Sequence, residues 1–267
     1  MCLIIFAHNC FPGIPLVLAA NRDEFFARPT AAADFWPGHP NLLAGRDLEQ
    51  GGTWMGITRD GRFAAITNFR DPGATVGAPR TRGALTIDYL LGKTSAQQYL
   101  LAVAARQKEY AGFNLLLGDS QEMWFLSNSG EARSAPPVKL PPGLYGLSNA
   151  ALNTPWPKVV LGKNKLQDCL TSPPTHLTLA AVVGDQHPAS RQELAGQGLD
   201  SEMDQLLSAQ FIQAGHYGTR CTTTLWVSEE EGQADFCERS YNHEGELIGI
   251  VEQQFRLEPQ ITSPDYG

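Results

Sequence analysis

Two apolar runs separated by breakers open the chain, and they constrain it more than any other feature. Leu3-Ile4-Ile5-Phe6-Ala7 follows directly on Met1-Cys2, and Leu16-Val17-Leu18-Ala19-Ala20 leads into Asn21-Arg22-Asp23-Glu24. Asn9, Pro12, Gly13 and Pro15 lie between them, so the runs read as strands paired in an antiparallel hairpin. With the turn near residues 11–13, paired positions sum to roughly 22 to 26, which sets Cys2 opposite a residue between Ala20 and Glu24. Directly opposed side chains have Cβ atoms about 5 Å apart. Arg22 or Asp23 therefore reaches the Cys2 thiol, and register decides which, because a one-residue slip turns every side chain to the other face.

The first run has no positively charged segment before it and is too short for a secretory signal. The 267 residues suit one large domain spanning 1–267, since no linker-like stretch divides them. A net charge of −8 with dispersed charges offers no basic stripe for nucleic acid and no polybasic segment for a membrane surface. The apolar runs fall well short of the roughly 18 residues of a membrane span. Five scattered cysteines, an odd number without C-x-x-C spacing, point to reduced thiols and a cytoplasmic setting, and speak against a structural zinc.

Along the chain, residues 27–50 read as a long ordered loop anchored by Phe35-Trp36. Asp60-Gly61 then joins two β-prone runs, 51–58 and 62–68, and brings Asn68 back beside Thr53 and the Gly51-Gly52 pair. Glycines there allow close backbone approach. After a Gly/Pro-rich loop at 71–79, helical spacing covers 83–91 and 95–110, the latter with Ser95 as N-cap. Strands are expected at 113–117, 123–126 and 144–149. A helix is expected at 155–170, with Thr154 as N-cap and Pro in its first turn. Shorter helices follow at 192–197 and 200–210, then a hairpin of 220–227 with 234–241 and a last strand at 245–255. Strands, helices and strands again describe an α+β domain in layers.

Cys2 is the residue with most chemistry in reach. A thiol of pKa about 8.5 and an α-amine of about 8 stand together on one residue if Met1 is removed. Arg22 would favour the thiolate and Asp23 would orient the amine. The plainer reading of Cys2 is a small apolar core residue. Asn68 and Asn149 each close a strand after a hydroxyl residue, Thr67 and Ser148, where an amide can donate to an oxyanion. Arg220, after His216-Tyr217-Gly218-Thr219, is a candidate for binding a carboxylate or for setting the field at the thiol. Taken singly, each of these is an ordinary turn residue or strand-end charge. Phosphate-loop, dinucleotide, zinc-protease and nucleophile-elbow motifs are missing from the sequence.

The combination resembles one family. Met1-Cys2, Ala20-Asn21-Arg22-Asp23-Glu24, Gly51-Gly52-Thr53-Trp54-Met55-Gly56, Thr67-Asn68-Phe69-Arg70, Leu147-Ser148-Asn149 with Trp156-Pro157-Lys158, and Tyr217-Gly218-Thr219-Arg220 resemble the NRDE family, also called the transport and Golgi organisation protein 2 family. That family is similar to the N-terminal nucleophile hydrolases, with the bile-salt and penicillin V acylases as the nearest analogy. The resemblance implies a four-layer αββα sandwich, a Cys2 nucleophile using its own α-amine, Arg22 and Asp23 beside it, Asn68 and Asn149 near the oxyanion, and Arg220 close to the thiol. The acylases space their arginine and aspartate two residues apart, so Glu24 is an alternative to the adjacent Asp23. The implied function is cleavage of a non-peptide amide or thioester of a small acyl compound, with no resident cofactor or metal. The alternative is a non-catalytic protein that binds or carries haem or an acyl lipid, with Cys2 and His8 as the first haem-ligand candidates.

Overall fold

The computed structural model describes residues 2–69, 78–133 and 135–258, so Met1, Arg70 and most of the 71–79 loop lie outside the described residues. Six strands come first: β1 (Cys2–Phe11), β2 (Ile14–Phe25), β3 (Thr30–Trp36), β4 (His39–Asp47), β5 (Met55–Thr58) and β6 (Phe63–Asn68). Helices α1 (Gly83–Leu91) and α2 (Ala96–Ala105) precede β7 (Phe113–Gly118), β8 (Met123–Ser127), β9 (Val138–Leu140) and β10 (Gly143–Leu147). Four helices follow: α3 (Pro157–Cys169), α4 (His176–Val182), α5 (Arg191–Leu194) and α6 (Glu202–Leu206). The last strands are β11 (Gln213–Ala214), β12 (Tyr217–Ser228), β13 (Gln233–Tyr241) and β14 (Leu247–Arg256).

These strands make two seven-stranded antiparallel sheets. The first runs β10-β1-β2-β12-β13-β14 with β11 on β12, and the second runs β3 to β9 in chain order. Strand alternation decides what each face buries. Ile4, Phe6, Leu16 and Leu18 pack between the sheets against Leu43, Ile57, Phe63 and Leu116 of the second sheet. The alternate residues Leu3, Ile5, Val17 and Ala19 meet Val159 and Leu166 of α3 and Leu179 of α4. On the far side, Leu85 and Tyr89 of α1 and Leu100 of α2 cover Ala64, Leu115 and Leu117. The result is the expected four-layer αββα sandwich. Each fully buried Leu or Phe in it contributes roughly 1.5–3 kcal/mol.

Several expectations need correction. Residues 27–50 are not a loop: β3 and β4 form a hairpin, turning at Pro37-Gly38, where Gly38 takes φ 84°. Two register shifts along β3 break its alternation, and its Ala-rich start carries little strand propensity. The second helix stops at Ala105, where the chain tightens into a 3-10 turn over Gln107–Glu109. Ser95 does cap α2, its side chain accepting from the Gln98 N–H. Trp156, not Thr154, occupies the N-cap of α3, and the Thr154 hydroxyl donates to the Ala151 carbonyl instead. Short α4 lies within 171–189, capped by a reciprocal Thr175–Thr178 box.

Candidate active site

The opening hairpin sets the site. Its turn at Pro12-Gly13 leaves Phe11 paired with Ile14, and an irregularity between His8 and Phe11 shifts the register by one, so that Cys2 stands opposite Arg22 rather than Asp23. Arg22 also pairs with Cys221 on β12, so Cys2, Arg22 and Cys221 form one row across three adjacent strands. By strand parity the row faces the second sheet. Arg22 is 6% exposed, donates to the Thr30 hydroxyl at 3.2 Å and lies 4.2 Å from the Trp54 ring centroid. A cation held over an indole keeps part of the stabilisation that burial removes. Trp54 in turn rests against Gly45, where a Cβ would come within 2.3 Å of the indole.

Asp23, one residue on, points the other way, toward the helices. It is buried, and its Oδ1 accepts from the Thr219 hydroxyl at 2.7 Å. Burial raises the Asp23 carboxyl above the usual range, opposed by Lys158, by Thr219 and by Arg22 among others. Lys158 is buried in the first turn of α3, donates to the Leu207 carbonyl at 3.0 Å and has its ammonium pKa lowered by burial. Sequence reasoning passed over Lys158 as a candidate. The signal was present: a lysine at a helix N-terminus opposes the macrodipole and needs a partner to justify its place.

Asn68 and Asn149 come from different sheets and meet. The Asn149 side-chain amide donates to the Asn68 carbonyl at 2.7 Å, and the Ser148 hydroxyl donates to the Cys2 carbonyl at 3.0 Å. Thr67 closes the junction by donating to the Ser148 carbonyl at 2.7 Å. A primary amide carries two N–H donors, and the bond to Asn68 uses one of those on Asn149.

Cys2 is half-buried and lines an open cleft of about 130 Å³ between the sheet ends, together with Arg22, Trp54, Asn68 and Arg82. Gly52 and Gly83 allow that wall to close up: a Cβ on Gly52 would lie 2.5 Å from the Gly83 carbonyl carbon. Of the double glycine, Gly52 serves this backbone contact, while Gly51 takes a positive φ of 79°. Burial raises the Cys2 thiol pKa, and Arg22 opposes this without overcoming it. Arg22 thus acts in the expected direction, but burial, joined by the Asp23 charge, outweighs it.

Arg220 is not brought to this cleft's lining. A bulge between Thr219 and Cys221 leaves it out of register with β2, and its guanidinium donates to the Phe25 and Arg28 carbonyls at 2.8 and 3.0 Å. Glu24 lies at the cleft wall, its carboxylate accepting from the Phe25 N–H, so neither Asp23 nor Glu24 is the residue directly opposite Cys2. His8 sits six residues along β1 from Cys2, roughly 20 Å at strand rise. It is buried, with Nδ1 3.2 Å from the Pro15 carbonyl oxygen, so the two haem-ligand candidates do not share a site. Among the described residues there is no group of three His, Cys, Asp or Glu side chains fit to hold a metal, and no helix is long and apolar enough to cross a membrane.

Fold and site define a class: a double antiparallel sheet sandwich between helices, with a second-residue cysteine in the cleft where the sheets meet. The chain belongs to the Transport and Golgi organisation 2 family, whose pattern matches residues 1–243. It is 36% identical over 261 residues to the Transport and Golgi organization protein 2 homolog of Bos taurus, covering 90% of this chain and 93% of the relative. The Homo sapiens homolog is 34% identical over the same shares. Among solved structures, it is similar to a Caenorhabditis elegans N-acylethanolamine-hydrolyzing acid amidase ortholog at 9% identity and TM-score 0.45, covering 84% of this chain and 92% of that one. It is also similar to a mutant conjugated bile acid hydrolase from Clostridium perfringens at 12% identity and TM-score 0.44, covering 99% and 100%.

Proposed function

We propose that the protein is a cysteine hydrolase of the N-terminal nucleophile type, acting on a non-peptide amide or thioester after Met1 is removed. The observation that carries this reading is the row in which half-buried Cys2 lines the cleft opposite buried Arg22, beside the hydrogen-bonded Asn149–Asn68 pair. The freed α-amine of Cys2 takes the thiol proton, and the thiolate attacks the acyl carbon. The remaining Asn149 N–H is a donor for the oxyanion that forms. Collapse of that intermediate breaks the acyl–N or acyl–S bond, and the leaving group departs with the proton held by the amine. Water then attacks the Cys2 thioester, gives a proton to the amine, and releases the carboxylic acid and the regenerated thiol. Because burial raises the thiol pKa, the amine base is needed rather than optional. Asp23, fixed by Thr219 and facing Lys158, supports the end of β2 that presents Arg22.

The test begins with the intact mass of protein purified from its own host, followed by a screen of acyl amides and thioesters. Loss of Met1 and a drop of at least about a thousandfold in turnover for Cys2→Ala are expected. Met1 retained in essentially all molecules, or equal turnover by wild type and Cys2→Ala, would overturn the mechanism.

A further inference from the structure

The two sheets end in β10 and β14, and in β3 and β9, and these edges are not alike. β9 offers only three residues and β10 five, while β3 is broken by two register shifts, all ways of blunting an edge. β14 runs ten residues without proline or lysine, and its register with β13 is unbroken from Gly249 to Arg256. The phase of that ladder shows which groups are free. Leu257 N–H donates to the Gly232 carbonyl at 2.8 Å, so alternate residues back to Gly249 exchange main-chain bonds with β13, and those of Ile250, Glu252, Gln254 and Arg256 point outward. Among the described residues no strand takes them up.

The side chains agree with the backbone. Ala234 and Phe236 pack between the sheets, so Arg239 and its partner Ile250 stand on the outer face, where α3 and α4 pack over β10, β1, β2 and β12. Leu247, Ile248 and Ile250 are 47%, 65% and 48% exposed at the start of β14. A long, exposed, apolar edge is a template for another strand. Charge says which strand fits. Glu246, just before β14, and Arg256, at its end, are both exposed. Glu246 accepts from the Asn242 side-chain amide at 2.9 Å, and among the described residues neither charge has an ion-pair partner. Opposite charges at the two ends of one strand complement each other when that strand meets its own copy antiparallel.

We propose that β14 is the interface of a homodimer, in which two copies of the chain pair β14 with β14 antiparallel and join their first sheets into one. With the two-fold axis at Val251, Arg256 of each copy meets Glu246 of the other, and Ile248 and Ile250 of both copies gather on one face. Outward main-chain groups then meet outward main-chain groups. Gly249 ends the row that starts at Cys2 and passes through Arg22, Cys221 and Ser240, four strand spacings or roughly 19 Å away. The pairing therefore leaves both clefts open and holds whether or not Cys2 is a nucleophile.

Sedimentation equilibrium of the full chain from about 1 to 100 µM tests this. Wild type should reach twice the monomer mass. Arg256→Glu should weaken association at least about tenfold, since two attractive pairs become repulsive, and the double variant Glu246→Arg, Arg256→Glu should restore it. That rescue separates pairing from a fold defect. Glu252→Pro removes an outward N–H at a place where an edge strand tolerates proline, and should leave a monomer folded by circular dichroism. If the proline unfolds the chain, the charge swap decides alone. A wild-type monomer at about 100 µM, an assembly that grows beyond two copies, charge reversal without effect, or no rescue by the double variant would overturn the inference. So would a monomer that dimerises only when residues 259–267 are removed, because the chain's own end would then hold the edge.

Discussion

Cys2 and Cys221 flank the same arginine in the same row of the first sheet, and they differ in almost everything else. Cys2 borders the cleft, whereas Cys221 is sealed between strands at 5% exposure, its thiol donating to the buried Glu238 carboxylate. Glu238 is itself held by the Ala33 N–H at 2.7 Å. Burial raises both thiols, and Cys221 well above the ordinary value because Glu238 adds its charge to the burial. Two strand spacings separate them, roughly 9.6 Å, too far for a disulfide without backbone movement. A shared cation therefore does not define a reactive cysteine. The opening of the sheet end at Cys2 does, and the closure of the sheet at Cys221 denies it.

The largest effect expected from that difference is in alkylation. With iodoacetamide and peptide mapping under native conditions, Cys2 should react at least about a thousandfold faster than Cys221, because Cys221 becomes accessible only through opening of the sheet, at a free-energy cost near that of unfolding. Cys2 labelling should also steepen as pH rises past its unperturbed value, since its thiolate forms late. Comparable labelling of the two at neutral pH would remove the distinction.

The shared arginine offers a way to disturb one cysteine and leave the other alone. Trp54 touches Gly45 of the second sheet and carries Arg22 of the first. Gly45→Ala forces the indole to move and should cost about 1–3 kcal/mol of stability by denaturant titration. The same change should shift the pH midpoint of Cys2 alkylation upward as Arg22 loses its support, while Cys221 stays protected. An unchanged midpoint at reduced stability would mean that Trp54 fills space without positioning the arginine.

Which parts of this were legible beforehand follows from how local each cause is. The turn a few residues away placed Cys2 opposite the 20–24 segment, and the Asp60-Gly61 hairpin set Asn68 beside Gly52, but the choice of Arg22 over Asp23 rests on the irregularity between His8 and Phe11. The order of elements implied a layered α+β domain, and the family resemblance supplied its four αββα layers. Bulges were invisible: one inserted residue before Cys221 takes Arg220 out of register with β2, and two irregularities hid β3 and β4 inside an apparent loop. The sign of the Cys2 shift was missed because neighbouring charge is written in the sequence and desolvation is not. Lys158 escaped for a related reason, since its role depends on Asp23 and Leu207, both distant in the chain.

The smallest effect concerns alkaline stability. A thiol whose folded pKa lies above its unfolded value of about 8.5 stays protonated in the native protein while the unfolded chain releases its proton. The unfolded state then binds fewer protons, so stability falls as pH rises above about 8.5 and continues to fall until the folded pKa is passed. For Cys221 that slope is about 1.4 kcal/mol per pH unit, and below pH 8 it vanishes. Cys221→Ala should lower stability at pH 7 modestly through lost packing, yet flatten the decline measured by denaturant titration between pH 8.5 and 10. Cys2→Ala should flatten it less, because burial and the Asp23 charge raise the Cys2 thiol against an opposing Arg22, whereas Cys221 is raised well above its ordinary value. If the two variants flatten the curve equally, the cleft gives Cys2 no relief from burial, and its reactivity must then rest wholly on the amine exposed by removal of Met1.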